Sequence, residues 1–119
     1  MDENQLEEAI VLFQRSAEID AHFKTLELLG ECYIRLCRLR EAVIPLATAV
    51  TLNKGVRAAS LLADVFLQLK DYNAAEGMAE IALSREPNNK RALEIKEVIA
   101  NINGDAQQII GREGETASL

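Results

Sequence analysis

The sequence repeats itself every 33 residues, and this self-similarity strongly limits the folds open to the chain. Shifting the sequence by one period superposes residues of similar size, in the pairs Leu29 and Leu62, Gly30 and Ala63, Tyr33 and Phe66, Ala42 and Ala75, Ala49 and Ala82, and Val50 and Leu83. The register continues back to Ala9 and forward to Ile95 and Ile99. Units of this length stack on their neighbours, so the period predicts a solenoid.

Apolar residues within each unit recur at helical spacing, which predicts two helices per repeat. The predicted helices span residues 4–19, 23–37, 40–52, 56–69, 72–85 and 89–102. Asp71 is a candidate N-cap, and Asn4 with Glu7 has the spacing of a capping box. Pro45 lies inside the third helix and is expected to kink it.

The length of 119 residues corresponds to one domain, and a composition with 49% hydrophobic but only 4% aromatic residues favours helix. Beyond Gly104 the helical periodicity is lost. We therefore predict a helical domain over 1–104 and a mobile tail over 105–119.

Charge and the absence of targeting signals limit the function and the location. A net charge of −6 argues against nucleic-acid binding through a basic face. The acidic start MDENQLEE differs from a signal peptide, and no apolar run is long enough to span a membrane. These features predict a cytoplasmic protein that binds neither nucleic acid nor membrane.

The sequence offers no recognisable catalytic chemistry. It contains no Gly-rich phosphate loop, no Cys–His pair and no metal-spaced cluster, which predicts a non-enzyme without metal or cofactor. Cys32 and Cys37 would point apart on a helix, so we expect two reduced thiols. His22, the single histidine, is expected at the surface of a turn.

The ordered repeat positions resemble the tetratricopeptide repeat, a family of stacked helix pairs in which helix A precedes helix B. The fullest copies are Leu26, Leu29, Gly30, Tyr33, Ala42, Leu46 and Ala49, and then Ala59, Leu62, Ala63, Phe66, Ala75, Ala79, Ala82 and Pro87. The resemblance covers residues 6 to about 102, but Trp is absent and Lys54 replaces an exit proline. It implies an all-α solenoid of antiparallel helix pairs, with about six helices and a C-terminal capping helix.

Gly30 lies within a Leu- and Ile-rich helix, where glycine costs about 1 kcal/mol relative to alanine. A close crossing between helix A and helix B explains it, with Gly30 facing Ala42 and Ala63 facing Ala75. The last predicted helix carries Lys96 at this register, which is compatible with a capping helix whose open side faces water.

In this family the A helices line a concave peptide-binding groove, which implies a protein-interaction adaptor. The outward residues of the A helices form a basic row (Lys24, Arg57, Lys90), an acidic row (Glu31, Asp64, Glu97) and an apolar row (Ile34, Leu67, Ala100), with Arg35, Gln68 and Asn101 beside the last. The candidate peptide-binding residues are Lys24, Glu31, Ile34, Arg35, Arg57, Asp64, Leu67, Gln68, Lys90 and Glu97.

These rows favour a partner peptide that carries basic and aliphatic residues. The family's clamp for acidic chaperone tails uses Lys and Asn side chains, and the acidic row here argues against that ligand. The alternative is that the rows form only a surface lattice of weak ion pairs inherited from repeat duplication.

An alternative function is structural assembly. The first predicted helix is of type B and lacks a preceding helix A, so Ala9, Phe13 and Ser16 would face an open position. This possible dimer face could pair with a second copy or with the remainder of a longer tetratricopeptide-repeat protein. A third possibility is that the tail, with Ile109 and Ile110, folds back over it.

Overall fold

Six α-helices make up the part of the chain that the computed structural model describes, which is 2–19, 22–52 and 55–117, with side chains described over 2–18, 22–52 and 55–104. They are α1 (Glu3–Ile19), α2 (Phe23–Arg35), α3 (Leu39–Leu52), α4 (Arg57–Gln68), α5 (Tyr72–Arg85) and α6 (Lys90–Ala117). These ranges contain no strand, and no helix in them is long and apolar enough to cross a membrane. The all-α fold with six helices is confirmed.

Helix starts follow the capping signals at two of the predicted turns. The Asp71 carboxylate accepts a hydrogen bond from the Ala74 backbone N–H at 3.3 Å, so Asp71 is the N-cap of α5 as predicted. His22 is exposed and caps α2 by accepting from the Lys24 backbone N–H at 3.2 Å. The histidine therefore lies at a turn surface, where the sequence analysis placed it.

The capping box of α1 lies earlier than predicted. The Gln5 backbone N–H donates to the Asp2 carboxylate at 2.8 Å, and the Asp2 N–H donates to the Gln5 side-chain oxygen at 3.0 Å. Asp2 and Gln5 thus take the roles assigned to Asn4 and Glu7. The earlier start adds Glu3 to the first turn, where a negative charge is favourable near the helix dipole.

The last helix is longer than predicted, because α6 continues to Ala117 instead of ending near residue 102. The segment after 102 contains glycine but no proline, and glycine weakens a helix without blocking its backbone hydrogen bonds. The side chains of 105–119, including Ile109 and Ile110, lie outside the described residues. The mobility of that segment stays a prediction.

The helices pack as a stack of antiparallel neighbours. Each helix contacts the next along the chain, and α4 also packs on α6 while α2 touches α4. The core is rich in alanine, with residues of zero exposure at Ala42, Ala49, Ala59, Ala63, Ala75, Ala79, Ala82 and Ala92. Leu46, Leu62 and Val65 are the largest fully buried side chains. Small core residues allow the helices to approach closely.

Gly30 lies at a close crossing, but its partner differs from the one predicted. A Cβ added to Gly30 would lie 2.5 Å from Leu46 Cδ2 and 2.6 Å from Leu46 Cγ. The side chain that excludes a larger residue is therefore Leu46, one helical turn beyond Ala42. The second pair has Ala63 and Ala79 at the equivalent positions, both fully buried.

The turns from helix A to helix B share one backbone conformation. Cys37 has φ 58° and Lys70 has φ 63°, and these residues are one period apart. At the first turn the Arg38 N–H donates to the Tyr33 carbonyl at 2.8 Å, and the Cys37 N–H donates to the Ile34 carbonyl at 2.9 Å. These bonds form a Schellman motif, in which a left-handed residue closes the helix.

Cys37→Gly and Lys70→Gly are each expected to stabilise the domain. A left-handed conformation costs roughly 1–2 kcal/mol for a residue with a side chain, and the greater freedom of unfolded glycine cancels about half of that gain. Thermal denaturation followed by circular dichroism measures the effect, with Cys37→Ala and Lys70→Ala as controls. Equal melting temperatures for the glycine and alanine variants would contradict this prediction.

Candidate peptide-binding surface

The three helices of type A lie side by side and present one surface, which we name the A-helix face. It is formed by α2, α4 and α6, whereas α1, α3 and α5 form the second layer. Of the predicted site residues, the exposed ones are Lys24, Arg35, Arg57, Gln68, Lys90 and Glu97. The half-buried ones are Glu31, Ile34, Asp64 and Leu67.

The acidic and basic rows are joined by ion pairs that cross from one repeat to the next. Arg57 of α4 pairs with Glu31 of α2, and its Nε lies 3.9 Å from a carboxylate oxygen of Glu27. Arg91 Nη1 of α6 lies 3.1 Å from Asp64 Oδ2 of α4. The rows are therefore partly a ladder of cross-repeat pairs.

The remaining charged residues of the rows behave differently. The side chains of Lys90 and Glu97 form no hydrogen bond or ion pair with any described residue. The Lys24 ammonium lies 5.7 Å from the centre of the Phe23 ring. The structure thus brings Glu31 and Arg57 together but leaves these three side chains available to solvent.

Sequence reasoning missed two members of the ladder. Glu27 is only 4% exposed and lies next to Arg57, and Arg91 takes the pairing role that the period assigned to Lys90. A search one residue either side of the repeat position would have found Arg91. Glu27 gives no such signal, because its equivalent in the next repeat is Ser60.

A cavity of about 290 Å³ opens between α4 and α6 on the A-helix face. It is lined by Asp64, Leu67, Arg91, Glu94, Ile95 and Val98. Val98 is 43% exposed, and the exposed carboxylate of Glu94 makes no ion pair with a described residue. This α4–α6 cavity offers apolar contact beside an available negative charge, an arrangement that suits an aliphatic side chain next to a cation.

A smaller cavity of about 150 Å³ lies between α1 and α2. Two predicted groove residues, Glu31 and Arg35, line it together with two predicted dimer-face residues, Ala9 and Phe13. The remaining lining residues are Leu6, Leu28 and Cys32. Ala9 and Phe13 are partly buried against the core, whereas Ser16 is exposed. The predicted dimer face is thus only partly open.

The described side chains contain no group of three or more His, Cys, Asp or Glu residues that could hold a metal ion. Cys32 is buried and Cys37 is exposed, and both are free. Burial raises the pKa of the Cys32 thiol, which disfavours the reactive thiolate.

No protein-family model and no curated protein matches the sequence. Solved structures do match. The first tetratricopeptide-repeat domain of Spaghetti (RPAP3), bound to the HSP90 peptide SRMEEVD, has a TM-score of 0.78 at 23% identity, covering 85% of this chain and 82% of that one.

Two further structures agree with this result. The first tetratricopeptide-repeat domain of human RPAP3 has a TM-score of 0.76 at 22% identity, covering 88% of this chain and 84% of its own. The tetratricopeptide-repeat domain of Arabidopsis OM64 has a TM-score of 0.75 at 20% identity, with coverages of 82% and 83%. Identities in this range support a shared fold.

Proposed function

Because the chain has the tetratricopeptide-repeat fold, we propose that it is a protein-interaction adaptor that holds a partner segment against the A-helix face. One similar structure contains a bound HSP90 peptide, which supports peptide binding on this fold. The α4–α6 cavity is the observation that carries the proposal. The chain is proposed to act in the cytoplasm, without a catalytic step and without a cofactor.

The partner segment is proposed to carry basic and aliphatic residues. Glu94 and Glu97 offer exposed carboxylates, and Leu67 and Val98 offer apolar contact beside them. Lys24 and Lys90 are exposed at the starts of α2 and α6 and are proposed to hold a carboxylate of the same segment, and Arg35 is exposed at the other end of α2. Its direction would follow from those contacts.

An acidic tail such as SRMEEVD is a poor match for this surface. Arg57 and Arg91 are already paired within the chain, and the carboxylates of Glu27, Glu31 and Asp64 lie beside them. A second set of carboxylates would have to displace these pairs. The HSP90 peptide of the similar structure is therefore not the ligand proposed for this chain.

Reversing the available carboxylates is expected to weaken partner binding at least tenfold. Partners are first recovered from a peptide array with the unaltered chain, and the best peptide is then titrated against the Glu94→Lys, Glu97→Lys double variant. Each desolvated charge contact contributes about 1.5–3 kcal/mol, and binding should also weaken as salt is added. Val98→Asp should have the same effect through the apolar contact.

The matched control is the Glu76→Lys, Glu80→Lys double variant, which reverses two carboxylates of α5 outside the A-helix face. It removes the exposed Lys96–Glu80 pair and therefore also controls for a small loss of stability. If both double variants bound the peptide with equal affinity, the charged rows would have no role in binding and would be only a surface lattice of ion pairs. Structural assembly would then be the favoured function over peptide binding.

Glu31 and Asp64 are less suitable for this test, although both belong to the predicted site. Their side chains are only 21% and 32% exposed, and each is paired with an arginine of the next A helix. Replacing either carboxylate by lysine would place two positive charges side by side and disturb the packing of the helices. A loss of binding would then report on folding as well as on the ligand.

A further inference from the structure

The repeat identifies the side of a B helix that faces the preceding helices across a cavity. In α3 this surface carries Glu41, Ile44, Pro45 and Thr48, which line a cavity of about 350 Å³ together with Gln14, Leu26, Leu29 and Tyr33 of α1 and α2. One period earlier, α1 carries Glu8, Val11, Leu12 and Arg15 at the same positions. We name these four residues the α1 stacking face.

The α1 stacking face is open among the described residues. Leu12 is 64% exposed and Val11 is 46% exposed. In α3 the equivalent of Leu12, Pro45, is buried, whereas the equivalent of Val11, Ile44, is 75% exposed. Glu8, Val11 and Leu12 line a shallow depression on this face. The available apolar contact therefore lies at Val11 and Leu12, beside the partly buried Ala9 and Phe13 of the predicted dimer face.

The α1 stacking face is complementary to itself. Glu8 lies three residues before Val11, and Arg15 lies three residues after Leu12, so the two charged residues are equally far from the midpoint between Val11 and Leu12. Two antiparallel copies of α1 would therefore place each Glu8 against the Arg15 of the other copy, with Val11 against Leu12 at the centre. Neither charged side chain forms an ion pair with any described residue.

We propose that two copies of this chain associate through their α1 stacking faces, antiparallel across a two-fold axis between Val11 and Leu12. The two-fold axis repeats the Glu8–Arg15 ion pair at both ends of the interface, so all four charged side chains gain a partner. An isologous interface requires this kind of self-complementary surface. The antiparallel direction also matches that of neighbouring helices within the stack. The contact leaves the A-helix face open, so the dimer presents two peptide-binding surfaces.

The association is expected to be weak. A pair of single helices buries less than the ~1,200 Å² at the lower end of stable interfaces. Sedimentation equilibrium of the whole chain should show the monomer mass when dilute and an increase towards twice that mass at high micromolar to millimolar concentration. A constant monomer mass up to millimolar concentration would overturn the proposal.

Charge exchange tests the pairing. Glu8→Arg or Arg15→Glu alone places like charges together at both ends of the interface, and each variant should associate at least tenfold more weakly. An equimolar mixture of the two variants should associate as well as the unaltered chain, because each contact then again joins unlike charges. If the mixture stays monomeric, this geometry is wrong.

A matched pair of variants tests the apolar centre. Leu12→Asp should abolish association, whereas Ile44→Asp should leave it unchanged, since Ile44 is 75% exposed on another helix at the repeat position of Val11. Circular dichroism confirms that each variant is folded. A dimer that survives Leu12→Asp would assign the contact to another surface and overturn the proposal.

Discussion

Gly30→Leu is expected to lower the free energy of unfolding by about 3 kcal/mol, because it overpacks a close helix crossing. Even the first carbon of a side chain at Gly30 would lie within 2.6 Å of Leu46 Cγ. Leu46 has zero exposure, so its side chain can make room only by displacing other core residues. Chemical denaturation of the variant and of the unaltered chain measures the difference.

A second glycine provides the matched control. Gly77 lies within α5, and a Cβ added there would have no heavy atom within 4 Å. Gly77→Ala should therefore stabilise the domain by about 0.5–1 kcal/mol, whereas Gly30→Ala should destabilise it. If both substitutions shifted stability in the same direction, the close-crossing explanation of Gly30 would be wrong.

The second repeat suggests a rescue of the first. Gly30→Ala combined with Leu46→Ala reproduces the Ala63 and Ala79 combination of the second pair, and the double variant should lose less stability than the sum of the two single losses. Lys96→Leu, at the same register of α6, should be tolerated. Lys96 is half-buried and loses only its 3.4 Å contact with Glu80.

Arg57→Glu is expected to lower the free energy of unfolding by about 2 kcal/mol, because it leaves a nearly buried carboxylate beside a like charge. The Glu27 side chain is 5% exposed and cannot turn to water, and Glu31 next to it is 21% exposed. Arg57 itself is 58% exposed, so the loss is smaller than for a fully buried pair. Denaturant titration at low and high salt measures it.

Lys90→Glu is the control for this substitution, since Lys90 occupies the same repeat position but is exposed and forms no ion pair with a described residue. It should change stability by less than about 0.5 kcal/mol. Glu27→Ser, which copies Ser60 of the next repeat, should recover part of the loss in the Arg57→Glu background. If Arg57→Glu and Lys90→Glu lowered the free energy of unfolding equally, the explanation through the buried Glu27 carboxylate would be wrong.

The repeat made the architecture predictable from the sequence. Helical spacing of apolar residues is a local signal, and its recurrence in register located the helix pairs and the alanine core. The A helices followed from the same register, and so did the rows of charge on their surface. Predicted and observed helix ends differ by no more than two residues, except at the end of α6.

The features that were missed depend on geometry that a linear pattern does not contain. The contact of Gly30 with Leu46 depends on the crossing of two helices, and the choice of Arg91 over Lys90 depends on side-chain reach. The left-handed residues at Cys37 and Lys70 lack the glycine that usually marks this conformation. Each of these features depends on the three-dimensional arrangement of the helices or on the backbone conformation, which the repeat pattern does not specify.

The cross-repeat ion pairs also connect the charge of this surface to the packing of successive A helices. The Glu31–Arg57 ion pair joins α2 to α4, and the Asp64–Arg91 ion pair joins α4 to α6. A ligand cation that takes Asp64 from Arg91 also weakens the link between α4 and α6. Because coupling is reciprocal, tension that parts these helices would free Asp64 and strengthen the same binding. If the proposed partner binds at Asp64, its affinity and the separation of α4 from α6 would be coupled through this one carboxylate.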